Sequence, residues 1–381
     1  MVSVVYDYQA FSLQERGGIS RYFYELATRV ANYDECQVKI LSFAYVNKYL
    51  SNSPKNLVVG LPIPTIPISS RAISKLNFEL SKGLSQFNGK ISQLWMERLS
   101  PSPDIVHETY YSSHRLAPKQ SKTVITVYDM IAEKFCEFPC QQKSGDILSL
   151  KATSIQRADR VICISNNTKN DLLELVNVDP AKVSVVHLGS TLKKIEDDYN
   201  KFWSELNPYI LYVGSRNSYK NFQRLLEAYA RSNLPKDFQL VCFGGDPFAR
   251  RELEIIKELH LGEGKVIYIS GDDKKLASFY SHASAFVYPS LYEGFGIPLL
   301  EAMSCDCPVV CSNTSSMPEV AGKAAEFFDP YDPESIAYAL KKVLYSTEKT
   351  EKLIQLGQER VKHYSWDTCA EQTRSIYLSL V

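Results

Sequence analysis

Residues 209–229 read YILYVGSRNSYKNFQRLLEAY and combine a strand pattern with a helix pattern. The first five residues are apolar or aromatic, which is typical of a buried strand. Phe222, Leu225, Leu226 and Tyr229 then recur at helical spacing. A short loop joins the two patterns, so the stretch predicts one strand–loop–helix unit of a parallel sheet.

The same alternation extends through the chain. A second helix pattern spaces apolar residues from Ile19 to Val30. The predicted strands are Val2–Tyr6, Gln37–Phe43, Asp104–His107, Thr123–Tyr128, Arg160–Ile164, Val183–His187, Tyr209–Val213, Phe238–Phe243, Val266–Ser270, Ala285–Tyr288 and Pro308–Cys311. Strands that alternate with helices predict an α/β fold with parallel sheets. The polar segment Ser190–Asn207 lacks a strand pattern, which favours two doubly wound domains joined there.

Composition excludes several classes of protein. The 381 residues include 43 Lys and Arg against 43 Asp and Glu, so the formal net charge is zero and the basic surface of a nucleic-acid binder is not expected. No stretch approaches the roughly 20 apolar residues that span a bilayer. The segment Met1–Asp7 meets an acid too early for a signal peptide. We therefore predict a cytoplasmic enzyme.

Two regions leave alternatives open. The nine cysteines are odd in number and irregularly spaced, which favours buried free thiols. A metal site at Cys305, Cys307 and Cys311 is disfavoured because no histidine lies at ligand spacing. Residues 69–100 are mixed and weakly basic, and predict either a solvated insertion or a surface that faces an anionic lipid or acceptor. The second alternative would place the protein peripherally at the inner membrane face.

An anion site is predicted in residues 288–303, after a strand. Glu293 lies in a loop with two glycines, and Pro298 suits the first turn of a helix, where Glu301 is also expected. Glycines let backbone amides approach a ligand, and the helix dipole favours an anion such as a diphosphate. The alternative is a tight turn followed by a capping glutamate.

Two further loops follow predicted strands. Arg216 and Lys220 place two cations at the end of a strand, where they can neutralise a diphosphate; a solvated turn is the alternative. Gly17-Gly18 lies between the first strand and the first helix and is a weak signal, since it can serve only to provide positive φ. The loop lacks the spaced glycines of a dinucleotide fingerprint, which disfavours nicotinamide and flavin cofactors.

Together these stretches resemble the retaining glycosyltransferases of the GT-B fold, family four (group 1 glycosyltransferases), of the bacterial polysaccharide type. The family's motifs correspond here to Glu293 and Glu301 (two glutamates separated by seven residues), Gly214, Arg216 and Lys220 (the phosphate motif), and Gly17 and Gly18 (the N-terminal double glycine). Further similarity extends over nearly the whole chain.

The resemblance implies roles for these residues. Glu301 would bind the ribose of a nucleotide sugar, Glu293 would hold the sugar, and Gly18 would close on the donor from the first domain. The implied donor-binding set is Gly17, Gly18, Gly214, Arg216, Lys220, Gly294, Phe295, Gly296, Ile297 and Glu301. The implied catalytic set is Glu293, Arg216, Lys220 and Asp129.

One position departs from the family pattern. Many relatives carry His-Asp where this chain has Tyr128-Asp129. The aspartate is present, so Asp129 is expected to face the sugar or the acceptor. Because the histidine is missing, a general base there is disfavoured. His107 is a weaker candidate for that role, and a structural histidine is the alternative.

No metal and no cofactor is expected. An Asp-x-Asp motif does not occur in the sequence, and Asp272-Asp273 is typical of a polar turn. Arg216, Lys220 and a helix N-terminus would supply the charge instead. By resemblance the last helix crosses back to the first domain, which gives an N-terminal acceptor-side domain of residues 1–190 plus 366–381 and a donor domain of residues 191–365, both Rossmann-like and facing a cleft.

The predicted reaction is transfer of a hexose from a nucleotide diphosphate sugar to a hydroxyl of a glycan or lipid-linked acceptor, with retention of configuration. UDP-glucose is preferred to GDP-mannose only because UDP donors are more prevalent. Two alternatives stay open: a nucleotide-sugar epimerase of the same fold, and a non-catalytic sugar-nucleotide-binding subunit. No nucleic-acid partner is expected.

Overall fold

The computed structural model describes residues 1–13, 17–51, 53–54, 56–63, 83, 86–96, 98, 102–135, 144–195, 208–216 and 218–381. The chain divides into two compact units. The first comprises Met1–Ile164, Thr168–Leu188 and Trp366–Val381, and the second comprises Ser165–Asn167 and Gly189–Ser365. Residues 196–207 of the predicted polar linker, most of the predicted insertion at 69–100, and Cys136 and Cys140 lie outside the described residues.

The first unit contains a seven-stranded sheet. Its strands are β1 (Val2–Tyr6), β2 (Cys36–Tyr45), β3 (Val58–Pro62), β4 (Ile105–Glu108), β5 (Lys122–Val127), β6 (Arg160–Cys163) and β7 (Val183–Val185). Their order is β3-β2-β1-β4-β5-β6-β7, and every pairing is parallel. The winding therefore reverses between β1 and β4.

The second unit contains a six-stranded sheet. Its strands are β8 (Tyr209–Val213), β9 (Gln239–Phe243), β10 (Val266–Ile269), β11 (Ala285–Tyr288), β12 (Val309–Ser312) and β13 (Ala325–Phe328). Their order is β10-β9-β8-β11-β12-β13, again with parallel pairing. Here the winding reverses between β8 and β11, which confirms the prediction of two doubly wound parallel-sheet domains.

Helices connect the strands. The α-helices are Gln9–Leu13, Gly18–Val30, Lys48–Ser51, residues 86–96, Ile131–Lys134, Ser144–Arg157, Asn166–Leu175, Phe222–Ala230, Leu234–Asp237, Arg250–Glu258, Asp273–His282, Ile297–Ser304, Met317–Ala321, Pro333–Leu344, Thr347–Val361 and Trp366–Leu378. Short 3₁₀ turns lie at Pro180–Lys182 and Ser218–Lys220. Among the described residues no helix has both the length and the apolar character needed to cross a membrane.

The core of the second unit explains its sequence pattern. Strand β8 is buried on both faces, so its residues form a continuous apolar run rather than an alternating one. The helix Phe222–Ala230 packs Leu225 and Tyr229 into the same cluster as Leu340 of the helix Pro333–Leu344. This packing fixes the loop between β8 and its helix, which carries Arg216 and Lys220.

The final helix, Trp366–Leu378, belongs to the first unit, as predicted. It packs on the helix Gly18–Val30, and the hydroxyl oxygen of Tyr377 lies 2.9 Å from that of Tyr6. Both tyrosines are buried. The C-terminal residues therefore complete the core of a sheet whose first strand begins at residue 2.

The cysteines that can be described are free thiols, as predicted. Cys36, Cys163, Cys242, Cys305, Cys307, Cys311 and Cys369 are all buried. Burial raises the pKa of each of these thiols above its ordinary value. Raised pKa values disfavour the thiolate, so these side chains act as small apolar groups.

Candidate active site

The strongest candidate site lies at the carboxyl ends of β8 and β11. These two strands are neighbours in the sheet, but β8 is followed by β9 on one side and β11 by β12 on the other. Such a topological switch point opens a crevice for ligands. The loop after β8 and the loop after β11 meet there, since the backbone N–H of Leu291 donates to the carbonyl of Tyr219 at 2.8 Å. Residues far apart in sequence are thereby brought together.

Lys220 and Glu293 form an ion pair at this point. Lys220 Nζ lies 2.6 Å from Glu293 Oε1, and the two side chains are only 16% and 10% exposed. The ammonium also lies 5.5 Å from the ring centre of Tyr288. Burial, followed by the charge of Glu293, raises the pKa of Tyr288 well above its ordinary value, so this hydroxyl stays protonated. The site therefore holds a cation and an anion in a poorly solvated crevice, where electrostatic interactions are stronger than in water.

Serine side chains hold the backbone that carries Glu293. The N–H of Glu293 donates to Ser315 Oγ at 2.9 Å. Ser316 Oγ lies 2.9 Å from the carbonyl oxygens of both Glu293 and Phe295. Sequence analysis did not single out these serines as site residues; their signal is a pair of serines in the loop after β12, the next strand of the sheet.

The helix Ile297–Ser304 begins beside Glu293. Gly296 precedes it with φ 102° and ψ 52°, a left-handed conformation, and an added Cβ would lie 3.1 Å from Leu299 Cδ1. Glycine is therefore required at this point. Pro298 lies in the first turn, as predicted, and has no N–H. The N–H of Leu299 donates to the carbonyl of Gly296 at 3.0 Å. The helix N-terminus therefore offers an anion chiefly the positive end of the helix dipole.

The position predicted for Glu301 is wrong. The helix begins at Ile297, so Glu301 is its fifth residue and falls in the second turn rather than the first. It cannot act as a capping carboxylate there. Its side chain is 6% exposed, and one carboxylate oxygen lies 3.5 Å from the hydroxyl of Tyr280. Burial, followed by the charge of Glu301, raises the pKa of Tyr280 well above its ordinary value.

Arg216 points to a different set of groups. Its Nε donates to Glu252 Oε1 at 2.6 Å, and its Nη2 donates to the carbonyl of Asp246. Among the described contacts it does not meet Lys220 or Glu293. Gly214, at the end of β8, has φ 117°, and an added Cβ would meet none of the described residues within 4 Å, so its backbone conformation is what requires glycine.

In the first unit, the double glycine does not provide positive φ. Gly17 has φ −175°, an extended conformation open to any residue, and Gly18 is the first residue of its helix. An added Cβ on Gly18 would meet none of the described residues within 4 Å. The positive-φ alternative is therefore wrong, and the helix begins within the glycine pair, at Gly18.

Asp129 lies after β5 and is half-buried. Its Oδ1 accepts from the N–H of Ile131 at 3.0 Å, while its carbonyl accepts from Lys151 Nζ at 2.6 Å.

Asp7, at the end of β1, was missed by sequence analysis. It is fully buried and accepts from the N–H and the hydroxyl of Thr109, which ties the ends of β1 and β4 together. Its only sequence signal is an acid directly after an apolar strand.

Of the two interpretations of His107, the structure supports the structural histidine rather than the weaker one, a base. It is fully buried, with Nδ1 2.6 Å from the hydroxyl of Tyr377 and Nε2 2.9 Å from Thr126 Oγ1. Burial lowers its pKa to about 3, so the ring is neutral at pH 7. It joins the last helix to the sheet.

We expect His107 to lower the free energy of unfolding as the pH drops below about 6.5. The unfolded chain binds a proton there that the folded ring does not, so a loss of about 2 kcal/mol is expected between pH 7 and pH 5. Urea unfolding, followed by tryptophan fluorescence, measures it. His107→Gln should lack this loss.

Comparing wild type with His107→Gln also cancels the contribution of Glu108, which changes the free energy of unfolding in the opposite direction. Burial raises the pKa of Glu108 to about 7, so its protonation stabilises the fold as pH falls, equally in both proteins. An identical pH dependence in wild type and His107→Gln would contradict the role of His107.

Asp272 and Asp273 begin a helix rather than the polar turn that was predicted. Asp272 Oδ1 accepts from the N–H of Lys275 at 2.9 Å and caps the helix Asp273–His282. In the parts of the chain that the structure describes, no three His, Cys, Asp or Glu side chains are grouped as a metal site.

Comparisons with known proteins agree with this architecture. The chain is 29% identical over 280 residues to O-antigen chain mannosyltransferase B of Escherichia coli, covering 70% of this chain and 72% of that protein. Sucrose-phosphate synthase from Thermosynechococcus elongatus has the same fold, with a TM-score of 0.77 and 20% identity over 100% of this chain and 99% of that one. So does Anabaena HepE in complex with UDP-glucose, with a TM-score of 0.73 and 17% identity over the full length of both chains.

Two family models account for nearly all of the chain. Residues 16–193 match the model described as Glycosyltransferase Family 4, and residues 194–360 match Glycosyl transferases group 1. The chain therefore belongs to the group 1 glycosyltransferases of family four, with the GT-B fold.

Proposed function

We propose that this protein is a retaining, metal-independent hexosyltransferase of polysaccharide biosynthesis. It moves a hexose from a nucleoside diphosphate sugar to a hydroxyl of a glycan or lipid-linked acceptor. The observation that carries the proposal is the Lys220–Glu293 pair beside the N-terminus of the helix Ile297–Ser304. A cation and the positive end of a helix dipole converge where a leaving diphosphate would gain charge.

Each group has a separate task in this proposal. The Lys220 ammonium neutralises the phosphate oxygen that gains charge as the bond between sugar and phosphate breaks. The Glu293 carboxylate, held by its serine-bound backbone, accepts a hydrogen bond from a sugar hydroxyl and orients the ring. Gly17, Gly18 and Asp129 are assigned to the donor and acceptor by resemblance alone.

Different observations support two donors. The Escherichia coli relative is named a mannosyltransferase, which favours a mannose donor. HepE, more distant in sequence, was solved with UDP-glucose, which agrees with the donor expected from prevalence. The other two functions considered differ from transfer in their products. An epimerase would release an epimerised donor, and a non-catalytic binding subunit would form no product.

We expect the purified protein to transfer hexose in excess EDTA at the same rate as with Mg²⁺. Lys220 and the helix N-terminus supply the charge that a metal otherwise brings to the phosphates.

Thermal-shift screening of UDP-glucose and GDP-mannose selects the donor, since a ligand at 100 times its dissociation constant stabilises the folded protein by about 2.7 kcal/mol. NMR of the product then gives the anomeric configuration.

Three outcomes would oppose parts of this proposal. Loss of transfer on chelation, with recovery on adding Mg²⁺ or Mn²⁺, would overturn metal independence. An inverted product would overturn retention. An epimerised donor, or binding without turnover in the presence of acceptor glycans, would replace transfer with one of the alternatives.

A further inference from the structure

The end of β12 and the loop after it carry four hydroxyl side chains within five residues. Residues 312–316 read SNTSS, and each of these hydroxyl groups bonds to the backbone at the end of β11 or in the loop after it. Ser312 Oγ donates to the carbonyl of Tyr288 at 3.3 Å, and Thr314 Oγ1 donates to that of Leu291 at 3.0 Å. The hydroxyl segment, residues 312–316, therefore follows the neighbouring loop along its length.

Glu293 is held at both of its backbone polar groups. Its N–H donates to Ser315 Oγ at 2.9 Å, and its carbonyl oxygen lies 2.9 Å from Ser316 Oγ. Ser316 Oγ also lies 2.9 Å from the carbonyl oxygen of Phe295. The same loop contains two glycines, which by themselves permit many backbone conformations. Bonds from the hydroxyl segment thus restrict a loop whose own sequence does not.

The side chain of Ser316 does not cap the helix that it precedes. Ser316 is the N-cap residue of the helix Met317–Ala321, and residues 316–319 have the Ser-x-x-Glu pattern of a capping box. In the described part of the chain, however, its hydroxyl forms no bond to an N–H of that helix. The fully buried hydroxyl instead meets the two carbonyl groups of the Glu293 loop. It therefore serves the neighbouring loop.

The backbone of Ser315 has a conformation that favours glycine. Its φ is 51°, in the left-handed region that residues other than glycine adopt rarely. Such strain persists where the surroundings require it, and it is found most often at functional sites. Glycine would relieve the strain but would leave the N–H of Glu293 without its hydroxyl acceptor. The serine side chain thus accounts for a residue that the backbone alone does not favour.

On the basis of the proposed function, we propose that Ser315 and Ser316 are positioning residues that act through the Glu293 carboxylate. They fix the backbone that keeps this carboxylate 2.6 Å from Lys220 Nζ before the donor binds. A displacement of about 1 Å at a reacting centre lowers the rate by about 10²-fold, so this support affects turnover. Because the serines act on Glu293 rather than on the nucleotide, their loss should lower kcat and spare nucleotide affinity.

The test uses Ser316→Ala and Ser315→Gly, each alone and combined with Glu293→Ala. Ser335→Ala is the matched control, because Ser335 Oγ accepts from the N–H of Asp329 at 3.0 Å and holds the loop after β13 in the same unit. Each single serine variant of the hydroxyl segment should lower kcat about tenfold. Calorimetry should give affinities for UDP and GDP within about threefold of wild type. The control should keep wild-type kcat.

The combined variants separate positioning from a general effect on the fold. Once Glu293→Ala has removed the carboxylate, neither serine change should lower kcat further by more than about twofold. A tenfold loss in that background as well would show a structural role and overturn the inference. Ser315→Gly keeps the test valid if Ser316→Ala folds poorly, because glycine suits φ 51° and the Tm should not fall.

Hydrogen exchange of residues 291–295 in the nucleotide-free protein provides a readout that does not depend on the donor. It should be faster in Ser316→Ala than in Ser335→Ala, since only the first change removes bonds to this loop. Equal exchange in the two variants, or wild-type kcat in both Ser316→Ala and Ser315→Gly, would contradict the positioning role. Absence of transfer by wild type, with faster exchange in Ser316→Ala, would instead overturn the proposed function.

Discussion

Glu293→Gln is expected to lower kcat by about 10²-fold or more. The carboxylate is 10% exposed, lies 2.6 Å from Lys220 and is carried by a backbone that two serines hold in place. A group that is oriented before the reaction costs no reorganisation in the transition state, which is why its loss is large. Gln keeps the shape of the side chain, so the change reports on charge and hydrogen bonding rather than packing.

Lys220→Met should lower kcat to a similar extent but differ in binding. Free UDP or GDP should bind more weakly to Lys220→Met, because the proposed function assigns the diphosphate to the Lys220 ammonium. It should bind to Glu293→Gln with unchanged or higher affinity, because Lys220 then lacks its internal carboxylate partner. Calorimetry together with steady-state kinetics separates the two roles.

Glu326→Gln is a matched control for this pair. Glu326 lies in β13, and its Oε1 is 2.6 Å from Lys342 Nζ, so it forms a similar ion pair in the same unit. It is expected to retain wild-type kcat. Near-wild-type turnover in both Glu293→Gln and Lys220→Met would contradict the site assignment.

Glu301→Ala is expected to weaken binding of the donor and of the free nucleotide alike, by about 10- to 100-fold. A carboxylate that accepts from ribose hydroxyls contributes before, during and after the chemical step, so its loss lowers affinity without a selective effect on turnover. The carboxylate is 6% exposed and lies in the second turn of its helix, where it does not cap the N-terminus. Its burial is therefore not explained by helix capping.

Tyr280→Phe provides the control for Glu301. It removes the hydroxyl 3.5 Å from the carboxylate and leaves the carboxylate in place, so nucleotide affinity should stay within about threefold of wild type. Calorimetry with UDP and GDP measures both variants. Unchanged affinity in Glu301→Ala would mean that this carboxylate serves only the fold.

Sequence alone determined the architecture. The limits of β1, β8 and β11 were predicted as observed, because strands buried on both faces are continuous apolar runs. The two missed strands, β3 and β13, lie at sheet edges. β3 contains Gly60 and Pro62 and is half-buried or exposed, so its sequence carries no clear strand pattern.

Local sequence also located the loops of the candidate active site, since polar residues that follow apolar parallel strands share one edge of the sheet. It could not decide distances or directions across that edge. Lys220 and Glu293 are 73 residues apart and meet because β8 and β11 are neighbours. Arg216, four residues before Lys220, turns instead to Glu252 on the other side of β8.

Burial was likewise decided by tertiary structure. His107 has the sequence position of a base at the end of a strand, yet the last helix of the chain covers it and Tyr377 binds its ring. Tyr377 is 270 residues away, so no local pattern around His107 carries that information. Local propensity and periodicity describe where strands and helices form, whereas the partner of a side chain depends on which distant segments the packing brings to it.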